Sequence, residues 1–272
     1  MASRGGRPLR GCVRNSRLIL LALLMPAMAG AKPVRVVSLN PCIDSVLVRV
    51  ADRGQVAAIS HWSHDPAATS LPLALARQFP AHGGTAEEVV ALKPDLVLMT
   101  PYTPLATRAA LARLKVPSVS IGVPASIAES MAQVRQVADA VGQGPRGTAL
   151  VAEIAAALAR SRRAGPPQPA LMRMTSGFVP GPGSLSEALM AHAGLPSVAA
   201  DRGLKGAGVI GLEALALEPP ALLITDRPEA MPPLVRRLPT RVVAFDRHLL
   251  NCGGPSLVPA AHRLAAIRDS LP

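Results

Sequence analysis

Apolar residues along this chain fall into short unbroken runs, separated by segments whose apolar positions recur three and four apart. The runs "RVVSLN" (35 to 40), "VAAIS" (56 to 60), "LVLMT" (96 to 100) and "SVSIG" (118 to 122) predict strands buried on both faces. Helical spacing fills several of the gaps, notably 104 to 114. Short apolar strands alternating with helices predict a parallel sheet with both faces covered. Residues 126 to 163 break the rhythm with two helices, interrupted at "GQGP" (142 to 145), and no strand. After "AGPPQP" (164 to 169) the alternation resumes: "ALMRMT" (170 to 175), a helix over 184 to 193, "ALLIT" (221 to 225), "RVVAF" (241 to 245) and a terminal helix over 256 to 271. The expected architecture is α/β, with two lobes built on parallel sheets and joined by a single long helix. The lobes are expected at 32–145 and 169–272, and the connecting helix at 146–168.

Several helix starts carry local signals. Asn40 followed by Pro41 reads as an N-cap with proline at the first helical position. "TAEE" (85 to 88) reads as a capping box between Thr85 and Glu88. The phrase "EEVVALKPDLVLMT" (87 to 100) returns in the second half as "EALALEPPALLIT" (213 to 225), with a glutamate seven residues before a proline in each. Glu87 and Glu213 both fall at the second helical position, where a carboxylate complements the helix N-terminus and is left free to point outward.

The N-terminus changes the charge account. Arg4, Arg7, Arg10, Arg14 and Arg17 precede the apolar run "LILLALLMPAMAGA" (18 to 31), which ends in small residues. That layout predicts an export signal over 1–31, cleaved after Ala29 or Ala31; the run is shorter than the roughly 20 residues that span a bilayer. Cleavage removes five arginines and no acid, lowering the net charge from +12 to +7. The remaining cations are thinly spread and only five residues are aromatic, a poor basis for binding nucleic acid. An exported protein is the better reading.

Those few aromatics sit mostly just past predicted strand ends: Trp62, Tyr102, Phe178 and Phe245, with Phe79 before the "GG" at 83–84. In open α/β sheets that edge is where ligands bind, so a cleft between the lobes is expected there. Polar candidates at the same edge are His61, His64, Asp65, Asp246 and Arg247. No G-x-S-x-G, phosphate loop or dinucleotide fingerprint occurs, so catalysis has little support. "HWSHD" (61 to 65) could grip a metal through two histidines, but no further cluster accompanies it. Cys42 and Cys252 are expected near the cleft mouth as unpaired thiols, because a bridge across the cleft would hinder hinge opening.

Taken together, "RVVSLNPCIDSVL", "GGTAEEVVALKPDLVL" and "GLEALALEPPALLIT" resemble the iron-siderophore/cobalamin class of periplasmic solute-binding proteins, over residues 34 to 270. The resemblance implies a ligand cleft between two α/β lobes bridged by the helix 146 to 163. It also implies delivery of the ligand to an inner-membrane ABC permease and its ATPase. The cobalamin-binding members are the most similar: Trp62 in "SHWSHDP" (60 to 66) takes the position of one of their aromatics, Tyr102 lies close to a second, and Asp246 matches the acid of the last cleft loop. A third ring, before the second glutamate helix, has no counterpart in "RGLKGAGVIG" (202 to 211). The implied ligand side chains are Cys42, His61, Trp62, Tyr102, Phe178, Asp246 and Arg247, and the implied ligand is a corrinoid. A ferric siderophore, held by Arg173, Arg202, Lys205 or Arg247, and haem, ligated by Tyr102 or a histidine, are the alternatives. A periplasmic enzyme or sensor built on the same fold is the rival class. Glu87 and Glu213 match the surface glutamates, one per lobe, that meet arginines of the permease.

Overall fold

The computed structural model describes residues 32–271; the expected export signal lies outside them. In chain order the first lobe contains β1 (Val36–Ser38), α1 (Pro41–Val50), β2 (Val56–Ser60), α2 (Leu73–Ala76), β3 (Ala81–His82), α3 (Ala86–Ala91), β4 (Leu96–Met99), α4 (Leu105–Arg113) and β5 (Ser118–Ser120). Two helices follow, α5 (Ile127–Ala140) and α6 (Gly144–Ser161). The second lobe contains β6 (Ala170–Met172), β7 (Phe178–Val179), α7 (Leu185–His192), β8 (Gly208–Val209), α8 (Leu212–Leu217), β9 (Leu222–Thr225), α9 (Pro233–Arg236), β10 (Arg241–Ala244) and α10 (Leu257–Asp269). No helix among the described residues is long and apolar enough to cross a membrane.

The first sheet is all parallel, in the order β3-β2-β1-β4-β5; the second runs β10-β9-β6, also parallel. Successive strand residues point to opposite faces, and the apolar runs supply both. Val36, Leu96 and Leu98 enter one core, while Val37 and Val97 enter another with Val89 of α3 and Leu111 of α4. In the second lobe Ala170, Met172, Leu222 and Ile224 face inward, while Leu171 and Leu223 pack beneath Leu215 and Val235. The larger core is continuous: it runs from the first sheet through α1, α5 and α6 to the second sheet and α10. The lobes therefore share one apolar interior.

Local signals act as read. The Asn40 carboxamide accepts from the amides of Cys42 and Ile43, and Pro41 opens α1. At α3 only half of the expected box forms: the Thr85 hydroxyl accepts from the Glu88 amide at 3.2 Å, but the Glu88 carboxylate folds back against Gly83. The long helix begins at Gly144 rather than 146, because Pro145 is accommodated in its first turn, and it ends at Ser161. Three two-residue strands carry no pattern of their own: β3 at a sheet edge, and β7 with β8, which form an antiparallel ribbon.

The cysteines correct the expectation of free thiols. Cys42 and Cys252 form a disulfide, with Cα atoms 5.0 Å apart. They meet because the segment after Cys252 inserts between the first-lobe helices. Its turn packs on α1, α5 and α6, and the Gly254 amide donates to Ser130 Oγ of α5 at 2.6 Å. Gly254 has φ +65°, and a Cβ there would lie 3.0 Å from Val46, so this insertion requires glycine. The bridge joins the first turn of α1 to the entry of α10.

Candidate functional site

Strand order decides where a ligand can enter. From β1 the chain proceeds to β2 and β3 on one side, then crosses back to β4 and β5 on the other. The connections leaving β1 and β4 therefore diverge, and divergence of this kind opens a crevice beyond the carboxyl ends of the strands. A concavity of about 240 Å³ lies there, floored by Asn40, Pro41, Gly83 and Gly84, and walled by His61, Trp62 and Tyr102. Trp62 is 49% exposed and Tyr102 82% exposed. Two such exposed rings at a switch point form a surface suited to contact with a ligand.

His61 and Trp62 stand on a single 3-10 turn, residues 61 to 64, whose rings lie 4.5 Å apart at their centroids. The Ser60 hydroxyl caps the turn by accepting from the Trp62 amide. His61 Nδ1 lies 3.2 Å from the carbonyl of His82. A carbonyl only accepts, so Nδ1 carries the proton and the Nε2 lone pair stays uncommitted. His64 is turned away instead, bonded through Nε2 to the carbonyl of Ala76, so the two histidines of "HWSHD" do not converge. Asp65 bonds to the Ala67 amide.

His82 escaped the sequence reading. It is buried under the floor, donating from Nε2 to the Ser38 carbonyl at 2.9 Å and accepting at Nδ1 from the Gly84 amide at 3.0 Å. Burial pushes its pKa down, and both ring nitrogens already have the partners of a neutral imidazole. It fixes the Gly83–Gly84 floor. A conspicuous sign was lacking, since a lone histidine before two glycines marks no motif.

In the second lobe Phe178, 45% exposed, lines a concavity of about 300 Å³ with Ser176, Arg247 and Asn251. Arg247 also borders an adjoining hollow beside Arg227, Asp246 and Arg263. Its guanidinium donates to the Ala67 carbonyl at 2.8 Å, and Asn251 donates to the Ala68 carbonyl at 3.1 Å, so these side chains link the lobes at the cleft's edge. Asp246 caps the turn 247 to 250 by accepting from the His248 amide at 2.9 Å. Cys42 is half-buried in its disulfide, between the Asn40–Pro41 floor and Asn251. Of the cationic candidates, Arg173 is buried and spends its guanidinium on the carbonyls of Ile210 and Met174, and Arg202 bonds the carbonyl of Glu218.

The ring arrangement also corrects one expectation. Phe245 does not face the cleft; it is 1% exposed, packed into the large core beneath β10. Phe79 is likewise buried, with the Arg53 guanidinium 3.9 Å above its ring. Three rings remain exposed: Trp62 and Tyr102 at the first-lobe concavity and Phe178 at the second-lobe one.

The family model described as "Periplasmic binding protein" matches residues 36–233. The chain belongs to this family. The periplasmic binding protein fold extends over nearly all the described residues. A periplasmic haem-binding protein from Pseudomonas aeruginosa is similar at 20% identity, with 88% of this chain and 94% of that one covered and a TM-score of 0.69. The vitamin B12-binding protein BtuF of Vibrio cholerae is similar at 15% identity, covering 88% and 99%, with a TM-score of 0.70. A possible iron-binding, periplasmic solute-binding protein from Staphylococcus epidermidis gives 16%, 88%, 98% and 0.66 in the same order. Among curated proteins none matches the sequence. The family is one of binding proteins, not of enzymes.

Proposed function

We propose that this protein is the periplasmic capture component of an ABC importer for a metal tetrapyrrole, with a corrinoid as the first ligand to test. The observation that carries the reading is the set of three exposed rings, Trp62 and Tyr102 in the first-lobe concavity and Phe178 in the second-lobe one, the latter lined also by Arg247. Broad flat faces suit a macrocycle, and Arg247 suits an acidic or amide substituent at its rim. Of the cations that a polyanionic siderophore would call for, Arg173 and Arg202 are spent on carbonyls; the arginines Arg227, Arg247 and Arg263 round the neighbouring hollow are what a siderophore would have to use. Solved proteins of similar fold that bind vitamin B12 or haem agree with the reading. Haem is the second reading, favoured by the Tyr102 phenol and the uncommitted Nε2 of His61 in one concavity.

Residues 1–31 would export the chain. Glu87 and Glu213, both exposed and without an ion pair or hydrogen bond among the described residues, would meet the permease, one per lobe. The test is titration of the protein with cyanocobalamin, haemin and a ferric siderophore, followed by fluorescence of Trp62, the sole tryptophan, and by calorimetry. Saturable quenching by a tetrapyrrole supports the reading. Calorimetric binding of the siderophore alone refutes it, and tetrapyrrole binding without quenching removes Trp62 from the site.

A further inference from the structure

A carboxylate without a charged partner lies beneath the turn that carries His61 and Trp62. Asp44, in the first turn of α1, is fully buried. Its Oδ2 accepts from the Ser63 hydroxyl at 2.6 Å and from the Ser60 amide at 3.0 Å. Its Oδ1 has no hydrogen-bond partner among the described residues. Ser60 caps the turn and Ser63 lies inside it, so both bonds end on the one segment that presents a ring and an imidazole to the cleft.

A neutral acceptor could fill this place at lower cost, because a buried unpaired carboxylate is strongly disfavoured. Costly groups of this kind concentrate at functional sites. We propose that Asp44 is the positioning residue of the cleft: its carboxylate fixes the turn 61 to 64, and so the stance of His61 and Trp62 toward the ligand. The ligand half of this statement rests on the function proposed above; the positioning half does not.

The consequence is a pH-dependent grip. An ionised Oδ2 makes two charge-assisted bonds to the turn, roughly twice as strong as their neutral counterparts. Protonation weakens both and loosens the turn locally, although it stabilises the fold as a whole by removing a buried charge. Burial raises the Asp44 pKa to about 7, against the Ser63 and Ser60 hydrogen bonds and the nearby Ser38 hydroxyl, which favour the charged form, so the change falls near neutrality. Only hydroxyls and an amide face the carboxylate. The neighbouring titratable groups are His61 and His64 on the turn, and His82 with Glu88 on the elements behind it. All four are unchanged in an Asp44 variant.

The experiment is acrylamide quenching of Trp62 in ligand-free protein from pH 5 to 9, for the wild type, Asp44→Asn and Ser63→Ala. Asp44→Asn keeps the shape and one acceptor oxygen but never ionises. The wild type is expected to show a step with a midpoint near 7, rising in accessibility on the acid side. Asp44→Asn should lie flat at the acid level, and Ser63→Ala should show a step of reduced height. A flat wild-type profile overturns the proposal. So does the same step in Asp44→Asn, which would assign it to the histidines. Cyanocobalamin affinity provides the second readout: a loss of about tenfold from pH 8 to 6 is expected in the wild type, and none in Asp44→Asn. A pH-independent affinity beside an intact quenching step refutes the link to capture. Failure of both tetrapyrroles to bind, with the step intact, refutes the ligand reading and leaves the positioning role standing.

Discussion

Replacing both bridge cysteines, Cys42→Ser with Cys252→Ser, removes a crosslink that closes a loop of 210 residues. A crosslink acts largely by restricting the unfolded chain, and its effect grows with the logarithm of loop length. For a loop of this size the chain-entropy relation gives about 5 kcal/mol, while measured losses of native bridges run from roughly 2 to 5 kcal/mol. The folded joint does not depend on the sulfur–sulfur bond alone. Gly254 is held by Ser130, Asn251 by Ala68, and one apolar core continues across both lobes. The double variant should therefore fold and melt in a single transition, at a clearly lower urea midpoint than the oxidised protein. Reduced wild type should melt with the variant. Thiol counting on denatured, unreduced chain lacking residues 1–31 should give zero, and two after reduction. Two thiols before reduction, or identical midpoints for the oxidised and reduced proteins, would refute the bridge and the loop argument with it.

Glu87→Ala combined with Glu213→Ala should leave ligand affinity of the soluble protein within about twofold while abolishing uptake and stimulated ATP hydrolysis, because exposed interfacial charges govern docking more than binding at a separate site. Normal transport by that variant would reduce the repeated glutamates to helix N-terminal charges worth about 0.3–1 kcal/mol each. The folded pKa of Asp44 is raised to about 7 from 3.8, so its contribution to stability is full below the unfolded value and is lost as pH rises through 7. Asp44→Asn should thus gain on the wild type by up to about 4 kcal/mol between pH 4 and pH 8, and a constant difference across urea melts in that range would contradict it. His82, lowered by burial, acts in the opposite sense, costing stability as pH falls through its unfolded value, but equally in both proteins. Gly181→Ala would drive a Cβ into the Gly206 carbonyl, so thermal melting should show a loss of at least about 2 kcal/mol, and a neutral result would mean that the ribbon next to Phe178 can move.

What the sequence determined by itself is what depends on neighbours along the chain. Seven strands were legible from their apolar runs; five are buried on both faces, as Val36 with Val37 and Leu222 with Leu223 show, while β5 and β10 at the sheet edges are only partly covered. Asn40 and Thr85 were legible because a cap bonds amides two or three residues away. Trp62 and Tyr102 were placed just past strand ends by counting alone, whereas Phe178 opens β7 instead of trailing β6, and Phe245, just past β10, is buried in the large core. Strands β3, β7 and β8 were not legible, since two residues set no period and only a partner defines them. Tertiary structure alone decided the strand order that opens the crevice between β1 and β4, the burial of Asp44 under the turn of Trp62, and the meeting of Cys42 with Cys252 across 210 residues. Each of these joins groups that no local spacing relates, and they become neighbours only when packing two sheets against one shared core closes the long loops between them.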